Sequence, residues 1–327
     1  MDTGRIVSGM RPTGKLHLGH FHGVLSNWLE LQKNYDCFFF AADWHSLTTE
    51  YADTSGIRES IRDMVLDWLA FGIDPEKSTI FCQSAVHQHA ELNLILSMIT
   101  PVSWLERNPT YKEMQENLTT KDLSTFGFLG YPVLMCADII LYRATKVPVG
   151  HDQLPHLEIT REITRRFNHL YGKVFPEPTA LLTESPKVLG LDGRKMSKSY
   201  GNAIFLSETA EETQKKVMSM VTDTQRVRRV DPGDPDRCVV YSLNHLYLSE
   251  AQKEEINIAC RSAAIGCVDC KKIQAKALIE ALEPFRSRRN ELAASPSIVD
   301  EILADGAAKA SRSAAETMVL VREAIKV

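Results

Sequence analysis

The chain of 327 residues is long enough for two domains, with a formal net charge of −4, 44% hydrophobic residues and 24% charged residues. This composition excludes a fibrous or disordered chain. Apolar runs such as 37–42 are too short to cross a bilayer, and residues 1–5 lack the basic and apolar segments of a signal peptide. We therefore expect a cytoplasmic protein that does not bind membranes.

Strand and helix signals alternate in the first half of the chain. Short apolar runs predict buried strands at 6–8, 37–42, 79–82 and 147–149. Helical spacing of apolar residues is found between and after them, at 18–32, 57–69 and 153–171. Short buried strands separated by helices are typical of a parallel sheet that is covered on both faces.

Strand signals fade from about residue 207. The remaining segments predict helices at 207–221, 249–263, 269–292, 297–305 and 308–326. Gly306 has the position of a C-terminal cap between the last two. We therefore predict an α/β fold, with a doubly wound parallel, Rossmann-like sheet in residues 1–195 and an all-helical domain in residues 196–327.

The first segment with recognisable chemistry joins the first strand to the first helix, at 12–20. Ligands of doubly wound sheets bind at such carboxyl strand ends. Gly14 permits a tight loop, and Gly19 lets a ligand approach the backbone. His17 and His20 can donate hydrogen bonds to phosphate oxygens next to a helix N-terminus. The alternative is an ordinary loop with incidental histidines; a metal site is disfavoured because no third ligand is near.

The second segment, 193–199, carries two lysines three residues apart, Lys195 and Lys198. It suits a mobile loop that neutralises a polyphosphate, although a basic surface loop is the simpler alternative. H-x-G-H followed by K-M-S-K-S resembles the class I aminoacyl-tRNA synthetases. The resemblance implies a Rossmann-like catalytic domain, activation of an amino acid by ATP with Mg²⁺, and transfer to tRNA. It assigns catalysis to His17, His20, Lys195 and Lys198.

The third segment, 130–142, contains a lone carboxylate, Asp138, among apolar residues that include Met135. Such a carboxylate is costly if buried without a partner, and the alternative is a helix-surface acid facing solvent. Pro132 fits the first turn of the helix. The segment resembles the tryptophanyl-tRNA synthetase pattern Y-P-x-x-M-A-x-D-I-L-x-Y. In that family the carboxylate accepts the indole N–H, and Met135 disfavours the similar tyrosyl enzymes, which usually carry Gln there.

The same resemblance implies two sets of binding residues. The segment at 147–156 resembles P-V-G-x-D-Q-x-x-H, in which Asp152 would bind the ATP ribose, although an N-capping role is the simpler alternative. The implied ATP-binding residues are Arg11, Thr13, Gly19, His20, Gly150, Asp152, Val188, Lys195, Met196, Ser197 and Lys198. The implied tryptophan-binding residues are Val7, Gly9, His45, Tyr131, Met135, Asp138, Val147, Val149 and Gln153. Arg11 departs from the family, in which Gln is frequent at this position.

Four of the seven cysteines, Cys238, Cys260, Cys267 and Cys270, have the spacing C-x21-C-x6-C-x2-C. Zinc ribbons usually have two C-x2-C pairs, whereas this chain has one. Four cysteines at uneven spacing fit an iron–sulfur cluster better. The sequence resembles bacterial tryptophanyl-tRNA synthetases that carry a [4Fe–4S] cluster here, which implies a structural or tRNA-positioning role. Four reduced thiols are the first alternative and zinc is the second.

The predicted partners are L-tryptophan, ATP and tRNA(Trp). The net charge does not indicate a nucleic-acid binder, so tRNA contacts would come from basic stretches at 226–229, 271–272 and 286–289. A homodimer is implied by family resemblance alone. The alternatives are a tyrosyl enzyme, a small nucleotidyltransferase with the H-x-G-H motif, and an RNA-binding paralogue without catalysis.

Overall fold

The computed structural model describes residues 4–108, 111, 122–182, 186–295 and 297–327. Within these residues, five strands form one parallel sheet with the order β3-β2-β1-β4-β5. The strands are β1 (Arg5–Met10), β2 (Asp36–Ala41), β3 (Ser78–Cys82), β4 (Lys146–Val149) and β5 (Thr179–Leu182). The predicted α/β class with a Rossmann-like parallel sheet is confirmed. The edge strand β5 was not predicted, because its apolar run of 180–182 is short.

The helices follow the strands as a doubly wound sheet requires. In chain order they are α1 (Leu18–His20), α2 (Ser26–Leu31), α3 (Asp43–Glu50), α4 (Ile57–Phe71), α5 (Gln88–Ser97), α6 (Val102–Glu106), α7 (Phe126–Leu141), α8 (Leu154–Tyr171), α9 (Ala210–Ser219), α10 (Val239–Tyr247), α11 (Glu250–Arg261), α12 (Cys267–Ala293) and α13 (Ile298–Ile325). A π-helical turn at Phe21–Leu25 separates α1 from α2. No helix of the described residues is long and apolar enough to cross a membrane.

The chain folds into two compact units that do not coincide with the predicted ranges 1–195 and 196–327. Unit 1 consists of Met1–Gly14, Asn27–Glu184 and Ser295–Val327, and it contains the sheet together with α13. Unit 2 consists of Lys15–Ser26 and Ser185–Ala294. The segment that carries the two histidines therefore belongs with the helices α9 to α12, and the last helix belongs with the sheet.

The C-terminal helix α13 is continuous, so the prediction of two helices with a cap at Gly306 was wrong. A Cβ atom at Gly306 would lie 1.8 Å from the carbonyl oxygen of Ile80 in β3. The glycine is required for close packing of the helix on the strand, and Ala310 and Ala314 are also fully buried. A glycine that serves tertiary packing has the same local pattern as a cap.

Helix α7 begins six residues before Pro132, so the prediction that Pro132 lies in the first turn was also wrong. Thr125 is the N-cap, and its hydroxyl accepts the Phe128 N–H at 3.2 Å. Pro132 lies inside the helix and provides no N–H for the carbonyl one turn before it. Upstream initiation makes α7 long enough to carry Tyr131 and Asp138 on the same side, seven residues apart.

Candidate functional site

The first motif forms a reciprocal helix cap in unit 2. His17 precedes α1, and its Nδ1 accepts the Gly19 backbone N–H at 3.1 Å. The Nδ1 of His20 accepts the His17 backbone N–H at 3.2 Å. A Cβ at Gly19 would lie 2.9 Å from the Cε1 of His17, so the glycine gives the imidazole room to fold back. In unit 1, Gly14 has the left-handed φ of 95° expected of a tight loop.

Both histidines of this motif are neutral at pH 7. Burial, and then the charge of Lys198, lowers the pKa of His17 to about 4. Burial, and then the neighbouring His17 and Lys198, lowers the pKa of His20 to about 3. Because each Nδ1 accepts a backbone N–H, the ring proton is on Nε2. Each side chain is therefore an uncharged Nε2–H donor.

The second motif is a tight loop held by Asn202. The backbone N–H of Ser197 donates to the Asn202 Oδ1 at 2.8 Å. The backbone N–H of Met196 donates to the Val188 carbonyl at 3.0 Å, and the Met196 side chain is buried. Lys198 begins a single 3₁₀ turn. The loop thus brings together the predicted ATP-binding residues Val188, Met196, Ser197 and Lys198.

Backbone hydrogen bonds join the two motifs within unit 2. The Leu18 N–H donates to the Ile204 carbonyl at 3.1 Å, and the Leu206 N–H donates to the Leu16 carbonyl at 2.9 Å. His17 and Phe205 form an antiparallel bridge between these two bonds. Two segments far apart in sequence therefore form one substructure, which places a lysine loop beside two neutral imidazole donors.

The carboxylate of Asp138 is the centre of a buried hydrogen-bond network in unit 1. Its Oδ2 accepts the His45 Nε2–H at 2.8 Å. Its Oδ1 accepts from the Gln83 Nε2 and from the His89 Nδ1, each at 2.7 Å. The other nitrogen of His89, Nε2, lies 2.7 Å from the Tyr142 hydroxyl. Three donors from three different segments therefore converge on one carboxylate.

Asp138 remains ionised although its side chain is buried. Burial raises its pKa, but the hydrogen bonds from His45 and His89 and their charges prevail and lower it to about 2. The residue is 2% exposed. The alternative of a solvent-facing helix acid is therefore wrong.

A second polar cluster surrounds Tyr131 of α7. Its hydroxyl is hydrogen-bonded to the His156 Nε2, and burial raises the pKa of Tyr131 to about 12. Arg11 is half-buried nearby, where burial lowers its pKa and the charge of Glu50 opposes that shift. Arg11 donates to the Thr49 hydroxyl. The predicted residues Arg11 and Tyr131 thus belong to one cluster in unit 1.

The remaining predicted tryptophan-binding residues lie on adjacent elements of unit 1. Strands β1 and β4 pair directly and carry Val7, Gly9, Val147 and Val149. Met135 is half-buried on α7, and Gln153 ends a 3₁₀ turn at His151–Gln153. A Cβ at Gly9 would lie 2.4 Å from the Phe40 ring, so this glycine admits an aromatic side chain of β2.

The predicted ATP-binding residues are divided between the two units. Unit 1 contains Arg11, Thr13, Gly150 and Asp152, and unit 2 contains Gly19, His20, Val188, Lys195, Met196, Ser197 and Lys198. The side chain of Asp152 lies outside what the structure describes, so its predicted contact with ribose stays a prediction.

Sequence reasoning did not assign Gln83, His89, Tyr142 or His156 to the site. Gln83 directly follows β3, and its position at a carboxyl strand end could have identified it. His89 lies in apolar helical surroundings with no local pattern that distinguishes it from a core residue. Tyr142 and His156 are the last residues of the segments 130–142 and 147–156, whose patterns could have identified them.

The four predicted metal-binding cysteines line one cavity of unit 2. Cys238 precedes α10, Cys260 lies in α11, and Cys267 and Cys270 occupy the first turn of α12. Arg226 borders the same cavity, and its Nη1 lies 3.9 Å from the Sγ atoms of both Cys260 and Cys267. Cysteines from three separate stretches of the chain therefore meet in one cavity.

Two of the thiols in this cavity, Cys260 and Cys270, have a raised pKa. Burial raises the pKa of Cys260, and burial raises the pKa of Cys270 to about 11 although Asn244 donates to its Sγ at 3.8 Å. No group of three or more His, Cys, Asp or Glu side chains in the described ranges is arranged to hold a single metal ion. The four sulfur atoms share a cavity but do not form a preformed mononuclear site.

A family model described as tRNA synthetases class I (W and Y) matches residues 2–283 of the chain. The chain therefore belongs to this family of class I tRNA synthetases, as the two motifs predict.

Individual relatives narrow the comparison to tryptophan. The chain is 53% identical to the tryptophan–tRNA ligase of Thermotoga maritima, with 98% of each chain covered. It is 46% identical to that of Aquifex aeolicus, with 98% of this chain and 99% of the relative covered. The crystal structure of tryptophanyl-tRNA synthetase from Campylobacter jejuni complexed with ADP and tryptophan is 34% identical, with a TM-score of 0.90 over 99% of this chain and 100% of that chain.

Proposed function

We propose that the chain activates L-tryptophan with Mg-ATP, which yields tryptophanyl-AMP and pyrophosphate, and then esterifies tRNA(Trp). The observation that carries the proposal is the joining of the histidine motif and the lysine loop into one substructure of unit 2. The names of the full-length relatives supply the amino acid and the RNA. A cytoplasmic location follows from this role.

In the first step the tryptophan carboxylate attacks the α-phosphorus of ATP, and the bond to pyrophosphate breaks. The Nε2–H groups of His17 and His20 stabilise negative charge on the phosphates, and Lys195 and Lys198 neutralise the departing pyrophosphate. No protein nucleophile is needed. In the second step a terminal ribose hydroxyl of the tRNA attacks the carbonyl carbon, and AMP leaves.

Asp138 sets the amino-acid specificity by accepting the indole N–H, with Met135 packing against the ring face. The ionised carboxylate suits this task, because hydrogen bonds to charged acceptors are stronger than neutral ones. His45 binds the same carboxylate at 2.8 Å and lies next to the bound amino acid.

ATP–pyrophosphate exchange with tryptophan and with tyrosine tests the proposal. We expect exchange with tryptophan only, and a loss of about 100-fold in kcat for Lys198→Ala. Lys187→Ala is the matched control, because this lysine is exposed and outside the loop. Exchange with tyrosine would favour a tyrosyl enzyme. Binding of tRNA without any exchange would favour a non-catalytic RNA-binding paralogue.

We also infer that Cys238, Cys260, Cys267 and Cys270 hold a [4Fe–4S] cluster. The donor set fits, because thiolates are the usual cluster ligands and four of them line one cavity. The positive charge of Arg226, 3.9 Å from two of the sulfur atoms, offsets the negative charge of thiolates. The role is structural or positions tRNA, since α10, α11 and α12 all contribute cysteines or flank them.

Anaerobic metal and sulfide analysis of the purified protein tests this inference. We expect about four iron and four sulfide per chain. Cys267→Ser should lose the iron, whereas Cys82→Ser, a half-buried thiol of unit 1, should retain it. Zinc in place of iron, or no metal after anaerobic handling, would contradict the cluster and leave the catalytic proposal intact.

Basic side chains of unit 2 are candidates for the tRNA contact that we propose for the helical region 196–327. Arg228 and Arg229 are exposed. Arg286 is 8% exposed and donates to the Thr213 hydroxyl at 2.6 Å, so it supports packing and not the basic surface expected at 286–289.

We propose that the chain acts as a homodimer, as the family resemblance implies. Helices α5 and α6 pack against α7, and large apolar side chains are exposed at their ends, among them Met98, which follows α5, at 73% and Phe126, the first residue of α7, at 79%. Exposed apolar side chains on packed helices are typical of subunit interfaces. Sedimentation analysis should give the mass of two chains, and Met98→Glu with Phe126→Glu should give one.

A further inference from the structure

The two oxygen atoms of Asp138 have different capacities for another donor. Among the described residues, Oδ1 accepts from the Gln83 Nε2 and from the His89 Nδ1, each at 2.7 Å, and Oδ2 accepts from the His45 Nε2 alone, at 2.8 Å. Each carboxylate oxygen accepts about two hydrogen bonds. Oδ1 is therefore filled by protein donors, and Oδ2 has room for one more.

His89 is locked in the tautomer that donates to Oδ1. The ring is fully buried and lies against Phe40 and Phe81, with centroid distances of 5.9 and 6.1 Å. Burial, and then Asp138, raises the pKa of Tyr142 well above its usual value, so its hydroxyl keeps its proton. That hydroxyl is hydrogen-bonded to the His89 Nε2 at 2.7 Å, and the ionised Asp138 carboxylate, which can only accept, requires a proton on Nδ1.

The two polar atoms of the Gln83 side-chain amide differ in their hydrogen bonding. Its Nε2 donates to Asp138, while its buried Oε1 has no hydrogen-bond partner among the described residues. A buried amide oxygen without a partner reduces stability, so stability alone does not account for glutamine at this position. The geometry of the carboxylate accounts for the glutamine, because its amide N–H donates the second hydrogen bond to Oδ1.

We propose that Tyr142, His89 and Gln83 are positioning residues that fix the rotation of the Asp138 carboxylate and offer Oδ2 alone to the indole N–H. The proposal rests on the proposed recognition of tryptophan by Asp138. It adds a specificity relay, Tyr142 to His89 to Asp138, whose first two members lie behind the carboxylate and do not touch the amino acid.

The test compares tryptophan with its analogue in which sulfur replaces the indole N–H, by kcat/KM in ATP–pyrophosphate exchange. The wild type should prefer tryptophan by about 100-fold or more. His89→Leu removes the donor to Oδ1 and should reduce this preference by about tenfold. Tyr142→Phe keeps the ring stacked on Phe38 and should reduce it by a smaller factor. His89→Asn places an amide N–H near the position of Nδ1 and should restore most of it.

Tyr241→Phe is the matched control, because it removes a buried tyrosine hydroxyl that donates to the Lys253 carbonyl in unit 2. It should leave the preference unchanged. An unchanged preference in folded His89→Leu and Tyr142→Phe would overturn the relay while leaving the role of Asp138 in place. A wild type that does not prefer tryptophan over the sulfur analogue would remove the contact between Asp138 and the indole, and the relay with it.

Discussion

Two groups of titratable side chains, one in each unit, have opposite charge states although burial acts on both. The histidines of unit 2 become neutral, with the pKa of His17 near 4 and that of His20 near 3. The carboxylate of Asp138 in unit 1 stays ionised, with a pKa of about 2. Burial opposes charge in both places, so the difference has to come from the partners.

The hydrogen-bonding and charged neighbours at the two sites favour different charge states. At the histidines, backbone N–H groups occupy Nδ1, and the charge of Lys198 adds to burial in disfavouring protonation. At Asp138, three side-chain donors stabilise negative charge. In the proposed reaction, neutral imidazole donors would leave the charge of ATP to the lysines, whereas the neutral indole N–H would be bound best by a fully charged acceptor.

The largest effect should follow from removing the charge in unit 1. Asp138→Ala leaves His45, His89 and Gln83 without their shared acceptor and removes the proposed indole acceptor. We expect kcat/KM for tryptophan to fall by about 1000-fold, with a much smaller change in the KM for ATP. Asp67→Asn, at another buried acid of unit 1, is the control. Equal losses for tryptophan and ATP would contradict a specific role in amino-acid binding.

The next effect should follow from replacing the neutral donors in unit 2. Asparagine is a good N-cap, so His17→Asn should keep the start of α1 while losing the Nε2–H donor. We expect kcat of exchange to fall by about 100- to 1000-fold with little change in the KM for tryptophan. His22→Asn is the control, because this half-buried histidine of the same segment is hydrogen-bonded to the Tyr247 hydroxyl at 2.7 Å. A kcat as low in the control as in His17→Asn would argue for a structural role only.

Protonation of the two sites should lower the free energy of unfolding in separate pH ranges. A histidine with a folded-state pKa of 3 to 4 binds its proton first in the unfolded chain, so stability falls as the pH drops from about 6.5 toward 4. Asp138, with a folded-state pKa of about 2, contributes about 2 kcal/mol above pH 4 and loses it as the pH falls toward 2.

Urea unfolding at a series of pH values separates these contributions. His17→Asn should reduce the slope of the free energy of unfolding between pH 6.5 and 4 and leave the lower range unchanged. Asp138→Asn should flatten only the range below pH 4. If both variants changed the same range, the assignment of opposite charge states would be wrong.

The difference between the sites also explains how much the sequence could predict. His17, His20, Lys195 and Lys198 were identified because short motifs encode local backbone loops that hold them. The pairing of these motifs through residues 204–206 was not predicted, because hydrogen bonds between distant backbone segments have no local pattern. The assignment of 15–26 to the helical unit was missed for the same reason.

At Asp138 the sequence identified the central residue and only one of its protein partners. His45 is among the residues that the family resemblance implies for tryptophan binding, whereas Gln83 and His89 come from the segment around β3 and α5. Fold class and the first four strands follow from apolar periodicity, which burial imposes on the chain directly. The partners of a buried charge are selected by three-dimensional proximity, which periodicity does not record.

The smallest effect should follow from Gly306→Ala. This glycine packs α13 against β3, the strand that directly precedes Gln83. In an isolated helix Gly→Ala stabilises by about 1 kcal/mol. Here the new Cβ would lie 1.8 Å from the Ile80 carbonyl oxygen, so α13 or β3 has to move. We expect Gly306→Ala to lower the free energy of unfolding by about 1–2 kcal/mol.

Displacement of β3 should shift Gln83, which follows the strand by one residue, and weaken its bond to Asp138. The KM for tryptophan should therefore rise a few-fold while the KM for ATP stays constant. Gly172→Ala is unsuitable as a control because of its φ of 101°, whereas Gly127 in α7 has nothing within 4 Å of its ideal Cβ position. Gly127→Ala should raise stability as a helix position predicts. If Gly306→Ala did the same, close packing of α13 on β3 would not be the reason for the glycine, and the shape of the tryptophan site would not depend on it.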